Sequence, residues 1–311
     1  MTRNIRHSLE SMLGALPKGA LAMVMACAVL ASCIREELPP CPPMHVDIVV
    51  KDKNYFNAAA TEGLEPVRPE NLPFKDYVGT LYYRLDNAET GELVIEQTNF
   101  EVSGDGTAYG VTFPESLPFG RYILTVWGNM HSERPLAEDA TYTEVTENNA
   151  AENDIYVTVD TLDYTMTAAN FTAELERTKG KLIVMAENLP AHVDFSTKDI
   201  DNIYRYVGRG LRYAGVTEFH TDTEWPEPQN MTTDMLLCPS TGHEETTLDV
   251  KFFDAAAQTK AAEPEDVKLT MSRNVVTVVR FVYQEGTPGD GFAIYVLVND
   301  NWEQIHSMEI D

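Results

Sequence analysis

Short runs of alternating apolar and polar residues, broken at close intervals by Gly, Pro and Asn, constrain this chain more than any other feature. Ile155, Val157 and Val159 share one face of Asp154 to Val159, and Phe292, Ile294, Val296 and Val298 share one face of a later run. A period of two belongs to a strand with one buried face. Comparable runs lie at His45–Val50, Tyr77–Leu85, Ala108–Phe113, Arg121–Trp127, Lys181–Ala186, Thr247–Phe253, Val267–Met271 and Val275–Tyr283. Asn87-Ala88-Glu89-Thr90-Gly91 turns the Tyr77 run into Glu92–Phe100 as a hairpin, and Ser103-Gly104-Asp105-Gly106 is a further turn. Helical periodicity is scarce; Ser196–Tyr206, with Ser196 as cap and Asp199 three residues on, is the one segment expected to be a short helix. The fold expected is all-β, two Ig-like β-sandwiches in tandem. The first spans 44–161 and the second 162–311, with 255–266 a mobile loop inside the second.

The N-terminus carries a different signal. Arg3, Arg6 and Lys18 precede the uncharged run Ala20 to Leu30, which is too short to span a bilayer and ends in Leu30-Ala31-Ser32-Cys33. Residues 1–32 are expected to be a signal peptide, with 33–43 a linker stiffened by Pro39, Pro40, Pro42 and Pro43. This start resembles bacterial lipoproteins, which carry acyl chains such as palmitate on the cysteine. The resemblance makes Cys33 the lipidation site and the covalent lipid the only non-protein group; no other cofactor is expected. One chain holds a membrane reversibly at about 0.8 kcal/mol per methylene, so two or three make attachment lasting. Arg35, Glu36 and Glu37 are similar to the tag that sends Bacteroides-type lipoproteins to the outer face of the outer membrane.

Composition excludes some functions. The chain has 23 basic and 49 acidic residues. Loss of Arg3, Arg6, Lys18 and Glu10 with the signal leaves 20 against 48, a net charge of −28. Such a surface repels phosphate backbones, so nucleic acid is not an expected partner. Beyond Cys33, the cysteines of the exported chain are Cys41 and Cys238. A disulfide between them would close a loop of nearly 200 residues and contribute about 5 kcal/mol on a chain-entropy model. Two buried thiols are the alternative, and the sequence leaves both open.

Catalytic motifs are missing: there is no His-Glu-x-x-His, nucleophile elbow, phosphate loop or dinucleotide fingerprint. His220, Asp222 and Glu224 read as loop polar residues rather than metal ligands. Asp199 and Asp201 near Glu187 read as a solvated face. No catalytic or metal site is expected, and the chain is not expected to be an enzyme.

Taken together, Cys33-Ile34-Arg35-Glu36-Glu37-Leu38 followed by Cys41-Pro42, Thr178 to Val184, Leu269 to Val276 and Val296 to Trp302 resemble the FimB-type fimbrial anchor family of Bacteroides-type bacteria. Lys51-Asp52-Lys53-Asn54-Tyr55 departs from the aromatic, aspartate-rich run of that family. The resemblance implies transthyretin-like sandwiches and a lipoprotein at the fimbrium base. It would fix a shaft subunit to the cell surface by strand addition and limit fimbrial length. A competing class is a surface glycan-binding lipoprotein, which requires an exposed aromatic platform drawn from Trp127, Trp225 or Trp302.

Overall fold

The computed structural model describes residues 42–311 apart from 62, 131–141, 145–152, 226–228, 243–244, 255–258, 286–290, 299–300 and 306–311. In the first half the strands are β1 (His45–Val50), β2 (Thr80–Asn87), β3 (Leu93–Glu101), β4 (Tyr109–Thr112), β5 (Gly120–Gly128), β6 (Tyr142–Glu144), β7 (Tyr156–Tyr164) and β8 (Asn170–Arg177). The second half adds β9 (Gly180–Glu187), β10 (Phe195–Gly208), β11 (Arg212–Glu224), β12 (Asn230–Leu237), β13 (Thr246–Asp254) and β14 (Thr259–Ala262). It ends with β15 (Val267–Leu269), β16 (Val276–Tyr283), β17 (Phe292–Val298) and β18 (Asn301–Ile305).

The first seven-stranded path runs β3-β2-β5-β7-β8-β1-β4. It doubles over between β7 and β8, which share only Tyr156↔Arg177 and Val157↔Glu176. The doubling encloses a core that includes Met44, Val46, Ile48, Leu81, Leu85, Leu124, Val126, Tyr164, Ala173 and Leu175. Alternation along each strand supplies this inner face, as the period of two requires. The hairpin lies where the turn residues place it. Asn87 Oδ1 accepts from the amides of Glu89 and Thr90 at 2.9 and 3.0 Å, and Gly91 takes φ 71°.

The second half is a two-sheet sandwich, β11-β10-β13-β14 facing β12-β9-β16-β17-β18, around Leu182, Val184, Ile200, Leu248, Val250, Phe252, Val279 and Phe281. Each half contains one parallel pair, β1 with β8 and β9 with β16. The all-β sandwich architecture expected from alternation is therefore present; among the described residues the only helical element is a single 3-10 turn, Phe74–Asp76.

Three expectations need correction. Ser196–Tyr206 is not a helix but the body of β10, paired on one side with β11 and on the other with β13. The apparent capping residues have other partners: Ser196 donates to the Met231 sulfur, and Asp199 accepts from His220. Pairing on both edges outweighs a weak local helix signal. The 255–266 segment contains β14, which pairs with the end of β13. The boundary between 161 and 162 falls inside β7, and the first sheet continues through Arg177. β6, from the first half of the chain, adds to the end of β10 through Tyr206↔Glu144 to Gly208↔Tyr142.

Passage from one sandwich to the other occurs at Thr178-Lys179-Gly180. A Cβ on Gly180 would stand 2.2 Å from the Ser272 carbonyl oxygen and 2.9 Å from that of Val275. Backbone atoms there cannot move without breaking the β9–β16 pairing. Gly180→Ala is expected to cost about 3 kcal/mol, the upper end for overpacking, as read by urea unfolding. A cost under 1 kcal/mol would show that the Ser272 turn gives way.

Candidate docking groove

The longest excursion of the first half, between β1 and β2, crosses onto the outer face of the second sandwich. Tyr55 and Ala58 are buried there with Ile183, Val276 and Val278, and Leu64 and Leu297 pack against them. Glu65 accepts from Lys181 at 2.7 Å. The Phe56 amide donates to the Asn274 carbonyl at 2.8 Å. Asn57 goes further: its carboxamide donates to the Val276 carbonyl and accepts from the Val276 amide, each at 2.8 Å. It thereby takes both backbone groups of the first residue of β16, as a neighbouring strand would.

Beside this contact β16 and β17 part. Their ladder runs from Tyr283↔Phe292 only as far as Val279↔Val296, although β16 begins at Val276 and β17 continues to Val298. The opening is a groove of about 990 Å3 whose apolar walls include Leu269, Val276, Val296 and Leu297. Lys268 and Glu303 stand among its polar lining, and Phe56, 88% exposed, lies at its margin. An exposed aromatic next to apolar walls, where two strand ends stop pairing with each other, suits an extended peptide. Nothing in the sequence marks this site beyond the aromatic pair Tyr55-Phe56 in an otherwise polar stretch. The parting of β16 from β17 is a tertiary event.

The sandwiches are joined by a second set of contacts. Arg177, 2% exposed, donates through Nε to both Asp154 carboxylate oxygens at 2.8 Å, through Nη1 to Asn274 Oδ1 at 2.5 Å and through Nη2 to the Tyr156 hydroxyl at 2.7 Å. Its guanidinium lies 4.1 Å from the centre of the Tyr55 ring. Burial disfavours the charge, but Asp154 together with Tyr156 and Tyr55 more than offsets it, so the pKa of Arg177 is raised. Burial likewise raises the phenols of Tyr55 and Tyr156. Arg273 bonds Asp52 and Glu176, each at 2.9 Å.

Cys238 is a buried free thiol in the cluster with Trp127, Ile155, Val157 and Val207 between the halves. Burial pushes its pKa up to about 12, only partly countered by Lys179, so the thiol stays protonated at neutral pH. Cys41, its suggested partner, lies outside the described residues, as do Cys33, Arg35, Glu36 and Glu37. Of the acidic candidates, Asp199 and Asp222 come together at His220, while Asp201 and Glu187 have other partners. His220 on β11 sits between Asp199 at 2.5 Å and Asp222 at 3.0 Å, all exposed. Asp201 accepts from the Thr247 amide, and Glu187 pairs with Arg280 at 2.6 and 2.7 Å. Among the described residues no group of three or more His, Cys, Asp or Glu could hold a metal ion. The tryptophans do not form a platform. Trp127 is 0% exposed and Trp225 8%, while Trp302, at 40%, lies under Arg280.

Two tandem sandwiches carry a lateral groove, and no catalytic centre is assembled among the described residues. No family model matches the sequence, and no curated protein matches it. Solved structures do. The fimbrial anchor protein Mfa2 from Porphyromonas gingivalis aligns with TM-score 0.53 at 16% identity over 85% of this chain and 100% of that one. A candidate adhesin from Bacteroides ovatus gives 0.56 at 14% identity, covering 89% and 98%. A candidate polysaccharide-binding protein from Bacteroides thetaiotaomicron gives 0.57 at 13% identity, covering 85% and 98%. The chain has the fold of these anchor-type and adhesin-type proteins, and none of the three is named as an enzyme.

Proposed function

We propose that this protein is an outer-membrane lipoprotein that holds a fimbrium at the cell surface, with Cys33 carrying the lipid and a shaft subunit as partner. The observation that carries the reading is the groove where β16 and β17 part, beside the Asn57 carboxamide that already imitates a strand at Val276. A shaft subunit docks there by offering an extended segment, whose main chain runs along the parted ends of β16 and β17 and whose alternate side chains enter the apolar walls. A subunit that accepts growth on one side only also ends the polymer, which limits its length. The glycan-binding alternative requires an exposed aromatic platform, and two of its three tryptophans are in the interior.

The test is recovery of partner from solubilised outer membranes with the tagged full-length chain. The native protein is expected to bring down a polymeric surface subunit. Phe56→Asp, a change at an exposed side chain that leaves the core intact, is expected to reduce that recovery at least tenfold. Recovery of no such subunit, with saturable binding to a polysaccharide instead, overturns the anchoring reading. Equal recovery by Phe56→Asp overturns the groove as the docking site.

A further inference from the structure

The second sandwich buries a lysine with which no carboxylate pairs among the described residues. Lys198 on β10 is 0% exposed and points inward. Its ammonium donates to Ser196 Oγ at 3.0 Å and to Thr223 Oγ1 at 2.8 Å, and among the described residues no acid pairs with it. A shortage of acids is not the reason, since the chain has 49 of them. The nearest charge, Asp222, is exposed and engaged with His220. A buried cation held only by hydroxyls is costly, and a buried donor without an acceptor adds to that cost.

Two more such donors belong to the same end of the sandwich. The Trp225 indole N–H and the Thr233 hydroxyl are buried with no hydrogen-bond partner among the described residues. Trp225 lies two residues beyond Thr223, the hydroxyl that Lys198 reaches, and its amide continues the pairing of β10 with β11 by donating to the Asp194 carbonyl at 3.0 Å. Its ring meets Phe252 edge-on at 6.4 Å, and Phe252 is the ladder partner of Ser196. Across the sandwich, Ser196 Oγ contacts the Met231 sulfur at 3.3 Å. β10 and β12 both begin at this end, so Thr233 follows Met231 as Lys198 follows Ser196. Among the described residues β11 and β12 are each the terminal strand of their sheet, so this side presents two strand edges.

We propose that Lys198, Trp225 and Thr233 form a carboxylate socket, filled by an acidic side chain on an extended peptide segment that adds along the β11 or β12 edge. A carboxylate supplies an acceptor for each of the three donors and a counter-charge for the ammonium, whereas an amide or hydroxyl supplies no charge. A strand on either edge sends every second side chain toward the interior, and one acid in that row reaches the socket. Burial, slightly countered by Asp222, pushes Lys198 down to about 8, which accords with an amine lacking its counter-ion. The inference rests on the anchoring reading only for who provides the segment.

Calorimetric titration of the full-length protein with a capped octapeptide of alternating Val and Thr, bearing one central Asp, is the direct test. The Asp peptide is expected to bind at least tenfold more tightly than its Asn counterpart. Lys198→Met should abolish that preference, and Trp225→Phe, which keeps the ring but removes the N–H, should reduce it several-fold. Lys198 has no ion-pair partner among the described residues, so Lys198→Met leaves no buried counter-charge stranded, and an unchanged circular dichroism spectrum checks that the fold is retained. Equal affinity for the two peptides, a preference that survives Lys198→Met, or no binding of either peptide overturns the socket. In the membrane pull-down, equal recovery of shaft subunit by native protein and Lys198→Met overturns the socket and leaves anchoring standing. An Asp preference abolished by Lys198→Met, with no shaft subunit recovered by the native chain, supports the socket and counts against anchoring.

Discussion

Replacing Arg177 with methionine is expected to destabilise the protein by about 3 kcal/mol, the low end for removing one partner of a buried ion pair. The low end applies because Asp154 retains 22% side-chain exposure and can recover some water. Methionine approximates the volume of the arginine stem, so the loss reports the guanidinium and its bonds rather than a cavity. Those bonds reach Asp154 and Tyr156 beside β7, Asn274 ahead of β16, and the face of Tyr55 in the β1–β2 connection. Arg177→Lys is expected to recover less than half of the loss, because one ammonium cannot make the same planar set of contacts. Urea unfolding followed by tryptophan fluorescence measures both. For a chain of this size the methionine variant should melt about 6–12 °C lower. A shift below 1 kcal/mol would mean that Arg177 contributes little to holding the two sandwiches together.

The second large effect is expected at Cys33. Cys33→Ala removes the acceptor of the lipid and leaves the folded domains unchanged. The protein should then pass from the detergent-dependent membrane fraction to the soluble fraction and the medium, with more than nine-tenths of it lost from cells. On the anchoring reading the fimbrial polymer goes with it. Fractionation and immunoblotting of cells and medium measure both species. Membrane retention of the variant would refute Cys33 as the lipid site. Release of the protein without the polymer would refute its role as the anchor while leaving the lipid site intact.

Residue patterns made the strands legible wherever one face of a strand is buried and the other is not. The hairpin at Asn87–Gly91 and the run from Phe292 fall where alternation and turn chemistry place them. β10 was not legible, because inward Ser196 and Lys198 are polar and mask the alternation that Ile200 continues. The Ser196 and Asp199 pair then imitates a helix cap. The end of the first sandwich was obscured for a related reason: β8 joins the first sheet through a parallel pairing with β1, some 125 residues earlier, and no local pattern announces such a partner. Trp127 and Trp225 look the same in sequence whether they face water or core.

Sequence by itself determined the strand-rich class and the acidic balance of the chain, and it alone carries the expectations of an export signal over residues 1–32 and of no nucleic-acid partner. Each follows from composition or from a local period. Tertiary structure alone decided where β16 and β17 part, that Asn57 takes the backbone of Val276, and that Lys198, Trp225 and Thr233 share one end of the second sandwich. These depend on strand register and on which sheet each strand enters. Register is settled by contacts between residues far apart in the chain, which a period of two cannot encode.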